Sequence, residues 1–183
     1  TDTANEQHYE LPTVFFQKVL GKRLKYSASY FETPSTSLNE AEDYALRCYC
    51  ERAQLKDGQE ILELGCGWGS LSLYMAEHFP NAKITVVSNS ATQRTYIEQQ
   101  AQNKHFNNLT VVTCDVNILE FEAGRFDRVV WAEMFEHVRN YARLFENIST
   151  WLKDDGLLWC HIFCHRFLHY PFELNNDFDW MSK

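Results

Sequence analysis

Five short apolar runs separated by helical patterns constrain the fold of this chain more than any other feature of its sequence. The runs lie at residues 60–64, 83–87, 109–114, 126–131 and 157–163. Each is nearly continuous in apolar residues, which is typical of strands that helices cover on both faces. Strands that alternate with helices predict a parallel sheet whose ligand lies at the carboxyl ends of the strands. The sequence therefore predicts an α/β fold with a doubly wound, mostly parallel sheet.

Sequence signals also mark where the intervening helices begin and end. Ser37 with Glu40, and Ser90 with Gln93, have the spacing of a capping box, in which two side chains satisfy backbone N–H groups at a helix start. We expect a helix to begin after each of these serines. The last helix is expected to end in the segment 153–156, because glycine commonly follows a helix.

The charge balance and the polarity of the chain exclude several partners. Its 17 basic and 25 acidic residues give a net charge of −8, which opposes binding to phosphate backbones, so we expect no nucleic-acid partner. No apolar run approaches the roughly 18 residues that a membrane span needs, so no integral membrane segment is expected. The six cysteines lie within apolar segments, which favours a reducing, cytoplasmic location.

A glycine-rich loop follows the first predicted strand directly. Residues 63–70 are Glu-Leu-Gly-Cys-Gly-Trp-Gly-Ser and lead into a helix. Glycines at alternate positions allow a sharp turn and a close approach of a ligand to the backbone, beside helix N–H groups that favour negative charge. The spacing differs from the G-x-G-x-x-G of dinucleotide-binding loops, so a pyrophosphate ligand is less favoured. A tight turn without a ligand is the alternative.

An acidic and histidine cluster follows the fourth predicted strand. Glu133, Glu136 and His137 have the spacing i, i+3 and i+4, which places them on one face of a helical turn at the ligand edge of the sheet. A carboxylate or an imidazole there can take the proton from an alkyl ammonium and act as a general base. The alternative is a helix start whose acids interact favourably with its dipole. The residues alone do not decide whether Glu136 or His137 is the base.

These motifs together resemble a known family. The sequences ELGCGWGS at 63–70, SNSATQ at 88–93, DV at 115–116 and EMFEH at 133–137 are similar to motifs of class I S-adenosylmethionine-dependent methyltransferases. The similarity is greatest to the branch of the cyclopropane-fatty-acid synthases and the plant coclaurine-type N-methyltransferases, and it covers about residues 11–183. It implies a Rossmann-like fold, S-adenosyl-L-methionine as the cofactor, and an enzyme that methylates a small, cyclic or aromatic-bearing amine.

The resemblance also implies roles for individual residues. Glu133, Glu136 and His137 match positions that surround the amine in the N-methyltransferases. For Gln93, helix capping is an equal alternative to cofactor contact. Many class I methyltransferases hold the ribose with an acid after the second strand, whereas this chain has Asn89 there, which implies neutral hydrogen bonds. The positions that match cofactor-binding residues are Tyr26, Ser27, Gly65, Gly67, Ser88, Asn89, Gln93, Asp115, Val116 and Ala132.

The resemblance also bears on the organisation of the chain. We expect residues 1–36 to form a helical lead-in and cofactor lid, and residues 37–183 to form the methyltransferase core. Class I methyltransferases usually have two more strands after the fifth, so the sheet is expected to be truncated there. An exposed sheet edge is a route to a homo-oligomer. A cofactor-binding remnant without turnover is therefore an alternative function.

Cyclopropanation of a lipid alkene is the closest rival reaction. Cyclopropane synthases resemble this chain but have Cys at the position of Ala28 and usually Gly at that of Glu133, so the bicarbonate site of those enzymes is altered here. However, Glu136, His137 and His161 match residues of that anion site, so this alternative stays open.

Two further groups of residues in the second half of the chain are candidates for binding sites. A zinc site at Cys160, His161, Cys164 and His165 is not expected, because alternation along a strand divides the four between two faces, and buried strand residues are the simpler interpretation. A set of histidine and aromatic residues is a candidate for an acceptor pocket with cation–π contacts, or for ordinary packing. This set is His165, His169, Tyr170, Phe172 and Trp180.

Overall fold

The structure is a computed structural model that describes residues 12–26 and 28–167. Its centre is a sheet of five parallel strands in the order β3-β2-β1-β4-β5. The strands are β1 (Glu60–Leu64), β2 (Lys83–Ser88), β3 (Leu109–Thr113), β4 (Phe126–Ala132) and β5 (Leu152–His161). The helices are α1 (Thr13–Val19), α2 (Leu38–Arg52), α3 (Ser70–His78), α4 (Ala91–Asn103) and α5 (Tyr141–Trp151), with a 3₁₀ helix at Phe135–His137. The predicted doubly wound, Rossmann-like sheet is confirmed.

Helices cover both faces of the sheet, which explains why the central strands bury apolar residues at successive positions. Side chains of successive strand residues point to opposite faces. Ile61 accordingly packs in the cluster that includes α2, α3 and α4, whereas Leu62 packs in the cluster that includes α5. Both side chains are fully buried, and each contributes roughly 1.5–3 kcal/mol of hydrophobic stabilisation.

The strand order reverses between β1 and β4, and this switch point positions the candidate site. β1 pairs with β2 on one side and with β4 on the other. The connections that leave β1 and β4 run to opposite faces of the sheet, which opens a crevice at the carboxyl ends of these strands. The glycine loop (residues 65–69) follows β1, and the acidic segment (residues 133–137) follows β4. Both start at this crevice.

The predicted end of the last helix is wrong. α5 ends at Trp151, and β5 begins at the next residue. The segment 153–156 forms an irregularity in β5, because Phe126 pairs with Leu152 while Arg128 pairs with Leu157. Gly156 lies inside this irregularity, where a Cβ atom would lie 2.9 Å from the carbonyl oxygen of Lys153. The glycine therefore marks a bulge in a strand rather than a helix stop.

The two predicted capping boxes have different outcomes. At Ser37 the box is complete, since Glu40 N donates to Ser37 Oγ and Ser37 N donates to Glu40 Oε2 at 2.8 Å. At Ser90 only the first half forms, because Gln93 N donates to Ser90 Oγ while the Gln93 side chain accepts a bond from Ser88. The prediction of the second capping box is therefore wrong in part, because the Gln93 carboxamide bonds to Ser88 and not to the backbone N–H of Ser90.

The described helices offer no candidate for a membrane span, since none is long and apolar enough to cross a bilayer.

Candidate active site

The glycine loop bends away from β1 against the end of β2. The backbone N–H groups of Gly65 and Cys66 both donate to the carbonyl of Val87, at 2.9 and 3.1 Å. Gly65 has φ +74°, and a Cβ atom there would lie 2.8 Å from Met134 Cγ. A side chain at this position would therefore push the glycine loop away from the acidic segment that follows β4.

Gly67 presents bare backbone to open space. Its φ is +52°, and a Cβ atom added there would meet nothing within 4 Å. The loop is thus held open at the crevice without any side chain of the described residues filling the space. An S-adenosylmethionine molecule that approaches the backbone closely fits this cradle, in which Gly65 and Gly67 would hold it.

Glu63, near the end of β1, has a buried carboxyl group that the sequence analysis did not identify as part of a site. Glu63 at the end of β1 is only 3% exposed, and Ser72 Oγ donates to its Oε2 at 2.5 Å. Burial raises the pKa of Glu63 to about 8, although the bond from Ser72 opposes the shift. The carboxyl is therefore mostly protonated at neutral pH. The signal was present in the sequence, since Glu63 lies between the apolar residues Leu62 and Leu64.

An aromatic stack holds the lead-in against the same loop. Trp68 is buried, with its ring centre 4.9 Å from that of Phe16 on α1 and 5.5 Å from that of Tyr96 on α4. Tyr26 is 51% exposed, and its ring centre lies 6.0 Å from that of Phe16. Ser27 lies outside the described residues. The lead-in thus packs on the glycine loop, and Tyr26 keeps enough exposed surface to contact a ligand.

The predicted residues after β2 divide into two buried side chains and one exposed side chain. Ser88 Oγ donates to Gln93 Oε1 at 2.7 Å and accepts a bond from Ser90 N at 3.0 Å. Ser88 and Gln93 are thus used to hold the start of α4. Asn89 is exposed between them, at the end of β2. Its side chain is the one of the three that a ligand can reach without breaking these internal bonds.

The residues after β3 form a turn at the same edge of the sheet. Asp115 Oδ1 accepts hydrogen bonds from Asn117 N at 2.8 Å and from Asn117 Nδ2 at 2.7 Å. Asp side chains commonly stabilise turns in this way. Val116 is half-buried and packs against the core cluster beneath α5. Both residues therefore lie at the edge of the sheet where the glycine loop also starts.

The acidic segment begins with a strained residue. Ala132 ends β4 and pairs with His161 at the end of β5. Glu133 follows with φ +55°, and its N–H donates to the carbonyl of His161 at 2.7 Å. Non-glycine residues with positive φ are uncommon and cluster at functional sites. Leu24 and Ala28 of the lead-in also have positive φ.

Glu133, Glu136 and His137 do not share one face of a helical turn, so this prediction is wrong. The 3₁₀ helix begins at Phe135, and the left-handed backbone of Glu133 takes this residue out of the helical register. Glu133 Oε1 lies 3.6 Å from His161 Nδ1. Glu136 Oε1 accepts a hydrogen bond from Phe163 N, and His137 is exposed. The three groups therefore lie in one segment but face different neighbours.

One carboxylate oxygen of Glu136 lacks a hydrogen-bond partner among the described residues. Its Oε2 atom is buried and has no hydrogen-bond partner among residues 12–26 and 28–167. A buried carboxylate oxygen without a partner is costly, because the group has lost its hydration. An N–H donor from a ligand would satisfy this oxygen.

The cysteine and histidine group on β5 differs from the prediction of buried strand residues. Cys160 on β5 is exposed, and so are Cys164 and His165, which follow the end of β5 at His161. Within residues 12–26 and 28–167 no three His, Cys, Asp or Glu side chains come together as a metal site. The remaining residues of the proposed acceptor pocket, namely His169, Tyr170, Phe172 and Trp180, lie outside the described residues.

The fold and the loop together define a class of protein. A doubly wound parallel sheet, with a G-x-G-x-G loop that opens its backbone at the switch point, is the architecture of the Rossmann-like S-adenosylmethionine-dependent methyltransferases. The sequence matches the mycolic acid cyclopropane synthetase family over residues 1–183. The chain belongs to this family, and the predicted resemblance to the cyclopropane-synthase-like branch is confirmed.

Individual relatives include both kinds of enzyme considered from the sequence. The chain is 41% identical to (S)-tetrahydroprotoberberine N-methyltransferase of Eschscholzia californica, over 99% of this chain and 51% of that protein. It is 32% identical to the cyclopropane-fatty-acyl-phospholipid synthase of Escherichia coli K12, over 97% of this chain and 44% of that protein. The solved structure of coclaurine N-methyltransferase bound to N-methylheliamine and SAH is similar with a TM-score of 0.93 and 40% identity, over 99% of this chain and 52% of that one. This chain therefore spans about half the length of the relatives it matches.

Proposed function

We propose that this chain forms the cofactor-binding half of the active site of an S-adenosylmethionine-dependent N-methyltransferase, whose acceptor is a small cyclic or aromatic-bearing amine. The observation that carries the proposal is the close packing of Gly65 against Met134. This contact joins the loop that would hold the cofactor to the segment that carries the two carboxylates. Donor and acceptor would therefore meet at one point of the crevice.

The acidic segment supplies what an amine acceptor requires. When bound, the cofactor supplies an electrophilic methyl group on a sulfonium. Alkyl amines are mostly protonated near neutral pH, so the carboxylates of Glu133 and Glu136 would first attract the ammonium form. The proton then has to leave the nitrogen, and Glu136 or His137 would accept it as the general base.

The lipid reaction of the cyclopropane synthases is a weaker candidate for this chain. It would use an anion site that includes His161, and here the Glu133 carboxylate lies 3.6 Å from the Nδ1 atom of that histidine. A carboxylate at this position repels a second anion such as bicarbonate. Glu133 therefore favours a cationic ligand over an anionic one.

Two measurements test the proposal in sequence. Calorimetry with S-adenosylhomocysteine tests cofactor binding, and the absence of heat from folded protein at high ligand concentration would refute it. Methyl transfer from labelled cofactor is then compared between a panel of tetrahydroisoquinolines and an alkenyl phospholipid. Label in the amines supports the N-methyltransferase, whereas label in the lipid alone supports the rival reaction. Tight binding without transfer to either acceptor supports a cofactor-binding protein without turnover.

A further inference from the structure

A buried lysine of the lead-in, Lys25, interacts with the charge of Glu133 in the acidic segment. Lys25 is only 6% exposed, although it lies in the lead-in between α1 and α2. Lysine is almost never buried unless its charge is compensated, because removing an ammonium from water is costly. Burial lowers the pKa of Lys25, and the carboxylates of Glu133 and Glu42 oppose that lowering. The ammonium therefore lies in the field of two acids from different elements.

Glu42 explains how the lead-in keeps this lysine inside the protein. Its carboxylate is fully buried on α2 and accepts hydrogen bonds from the backbone N–H groups of Gly21, Arg23 and Lys25, at 2.9, 2.8 and 3.3 Å. A Cβ atom at Gly21 would lie 2.6 Å from Glu42 Oε2, so the loop closes tightly on this carboxylate. Backbone donors of the lead-in thus already stabilise the Glu42 carboxylate, and Glu133 is the second acid that acts on Lys25.

Tyr49 and His161 connect the lysine to Glu133. The Lys25 ammonium lies 4.8 Å from the centre of the Tyr49 ring, in a cation–π contact. The Tyr49 hydroxyl lies 3.1 Å from His161 Nδ1, and the same nitrogen lies 3.6 Å from Glu133 Oε1. Burial raises the pKa of Tyr49, and the charge of Glu133 raises it further, so the phenol stays neutral. The four side chains form a continuous chain of contacts from the lead-in to the acidic segment.

We propose that Lys25 is a positioning residue, which balances the charge of the Glu133 carboxylate and holds it in place for a cationic acceptor. The inference rests on the proposed function, because it assigns Lys25 a task in the same site. Titratable groups face Glu133 from three other elements of the described chain, namely Lys25 from the lead-in, Tyr49 from α2 and His161 from β5. The Glu133 carboxylate stabilises the ammonium form of Lys25.

The charge balance explains why this position needs a lysine. A nearby cation stabilises the charged form of a half-buried carboxylate. Lys25 would supply this cation to Glu133, whose carboxylate then attracts the ammonium of an acceptor.

A double-mutant cycle tests the coupling without any enzyme activity. Lys25→Met and Glu133→Gln are made separately and together, and the melting temperatures of the four proteins are compared. Glu133→Gln is expected to raise the melting temperature by roughly 3 °C in the Lys25→Met protein, because it removes an uncompensated carboxylate. In the protein that keeps Lys25, the same change is expected to lower the melting temperature or leave it constant.

Two outcomes of this cycle would overturn the proposal. The first is an equal effect of Glu133→Gln in both backgrounds, which would mean that the two residues are uncoupled. The second is coupling of Lys25 to Glu42→Gln in place of Glu133→Gln, which would make the lysine a purely structural partner of the lead-in.

Enzyme kinetics test the functional part. Lys25→Met is expected to raise KM for the amine and to lower kcat/KM roughly 10- to 100-fold, while the affinity for S-adenosylhomocysteine stays unchanged. Lys25→Arg, which keeps the charge, should recover most of the loss. A Lys25→Arg protein that is as impaired as Lys25→Met would contradict the positioning role.

The matched control is Lys22→Met, the same chemical change three residues earlier in the lead-in. Lys22 is half-exposed, and its ion pair with Asp43 lies at the surface, so KM and kcat/KM for the amine should match those of the wild type. If the wild-type protein methylates no amine, the proposed function fails. The melting-temperature cycle then decides the Lys25–Glu133 coupling by itself.

Discussion

Replacing Gly67 by alanine tests whether the backbone at this position contacts the ligand. The melting temperature reports the added backbone strain, and the ligand affinity reports the contact. Gly67 has φ +52°, and an added Cβ atom would project into open space. The expected loss of stability therefore comes only from the strain of a left-handed alanine backbone. That strain is about 1–2 kcal/mol. For a chain of this size each kcal/mol lowers the melting temperature by roughly 2–4 °C, so we expect Gly67→Ala to melt about 2–8 °C lower and still to fold.

The effect on the cofactor should be larger than this strain implies. If the Gly67 backbone contacts the ligand directly, a methyl group occupies space that the ligand needs. We expect the affinity for S-adenosylhomocysteine to fall at least tenfold, which corresponds to about 1.4 kcal/mol. Calorimetric titration measures the affinity, and differential scanning fluorimetry measures the melting temperature of the same samples.

The chain offers two matched controls for this experiment. Gly58 has φ +83° and Gly124 has φ +63°, and an added Cβ would meet nothing within 4 Å at either position. Gly58 precedes β1 and Gly124 precedes β4, at the opposite ends of these strands from the crevice. Both alanine variants should show a similar fall in melting temperature with wild-type affinity. A Gly67→Ala protein that binds the ligand as tightly as these controls would refute the placement of the cofactor.

Three further predictions concern other parts of the chain. Because the pKa of Glu63 is raised to about 8, its contribution to stability is complete below its unfolded-state pKa near 4.5 and is lost as the pH rises through 8. The melting temperature of wild type minus that of Glu63→Gln should therefore fall between pH 5 and pH 8.5, and a constant difference would contradict the raised pKa. Glu136→Gln should lower kcat/KM for the amine by roughly 10²–10⁴-fold with cofactor affinity unchanged, if this carboxylate is the base; near-normal turnover would shift that role to His137. Ser37→Ala removes a complete capping box and should destabilise the protein by about 1 kcal/mol in urea unfolding, with no change in ligand affinity.

The strands and the glycine loop could be predicted because their signals are local. Each strand contains a short apolar run, because burial on both faces requires apolar residues at successive positions. The loop likewise lies within eight consecutive residues, 63–70, so its chemistry is visible without knowledge of its neighbours. The predicted β1 agrees with the structure at both ends. Gly156 shows the limit of such signals, since a glycine after a helix has the same appearance whether it ends the helix or relieves a strand bulge.

The arrangement of the acidic segment was decided by tertiary structure. The spacing of Glu133 and Glu136 predicted one helical face, but a hydrogen bond from Glu133 N to the end of β5 holds the first residue in a left-handed conformation. Tyr49 and His161 are separated by 112 residues and meet only because α2 packs against the sheet near the end of β5. Side-chain direction and burial at such a junction depend on elements far apart in the chain. The sequence alone thus determined the sheet and the loop, whereas the folded chain determined which charges face Glu133.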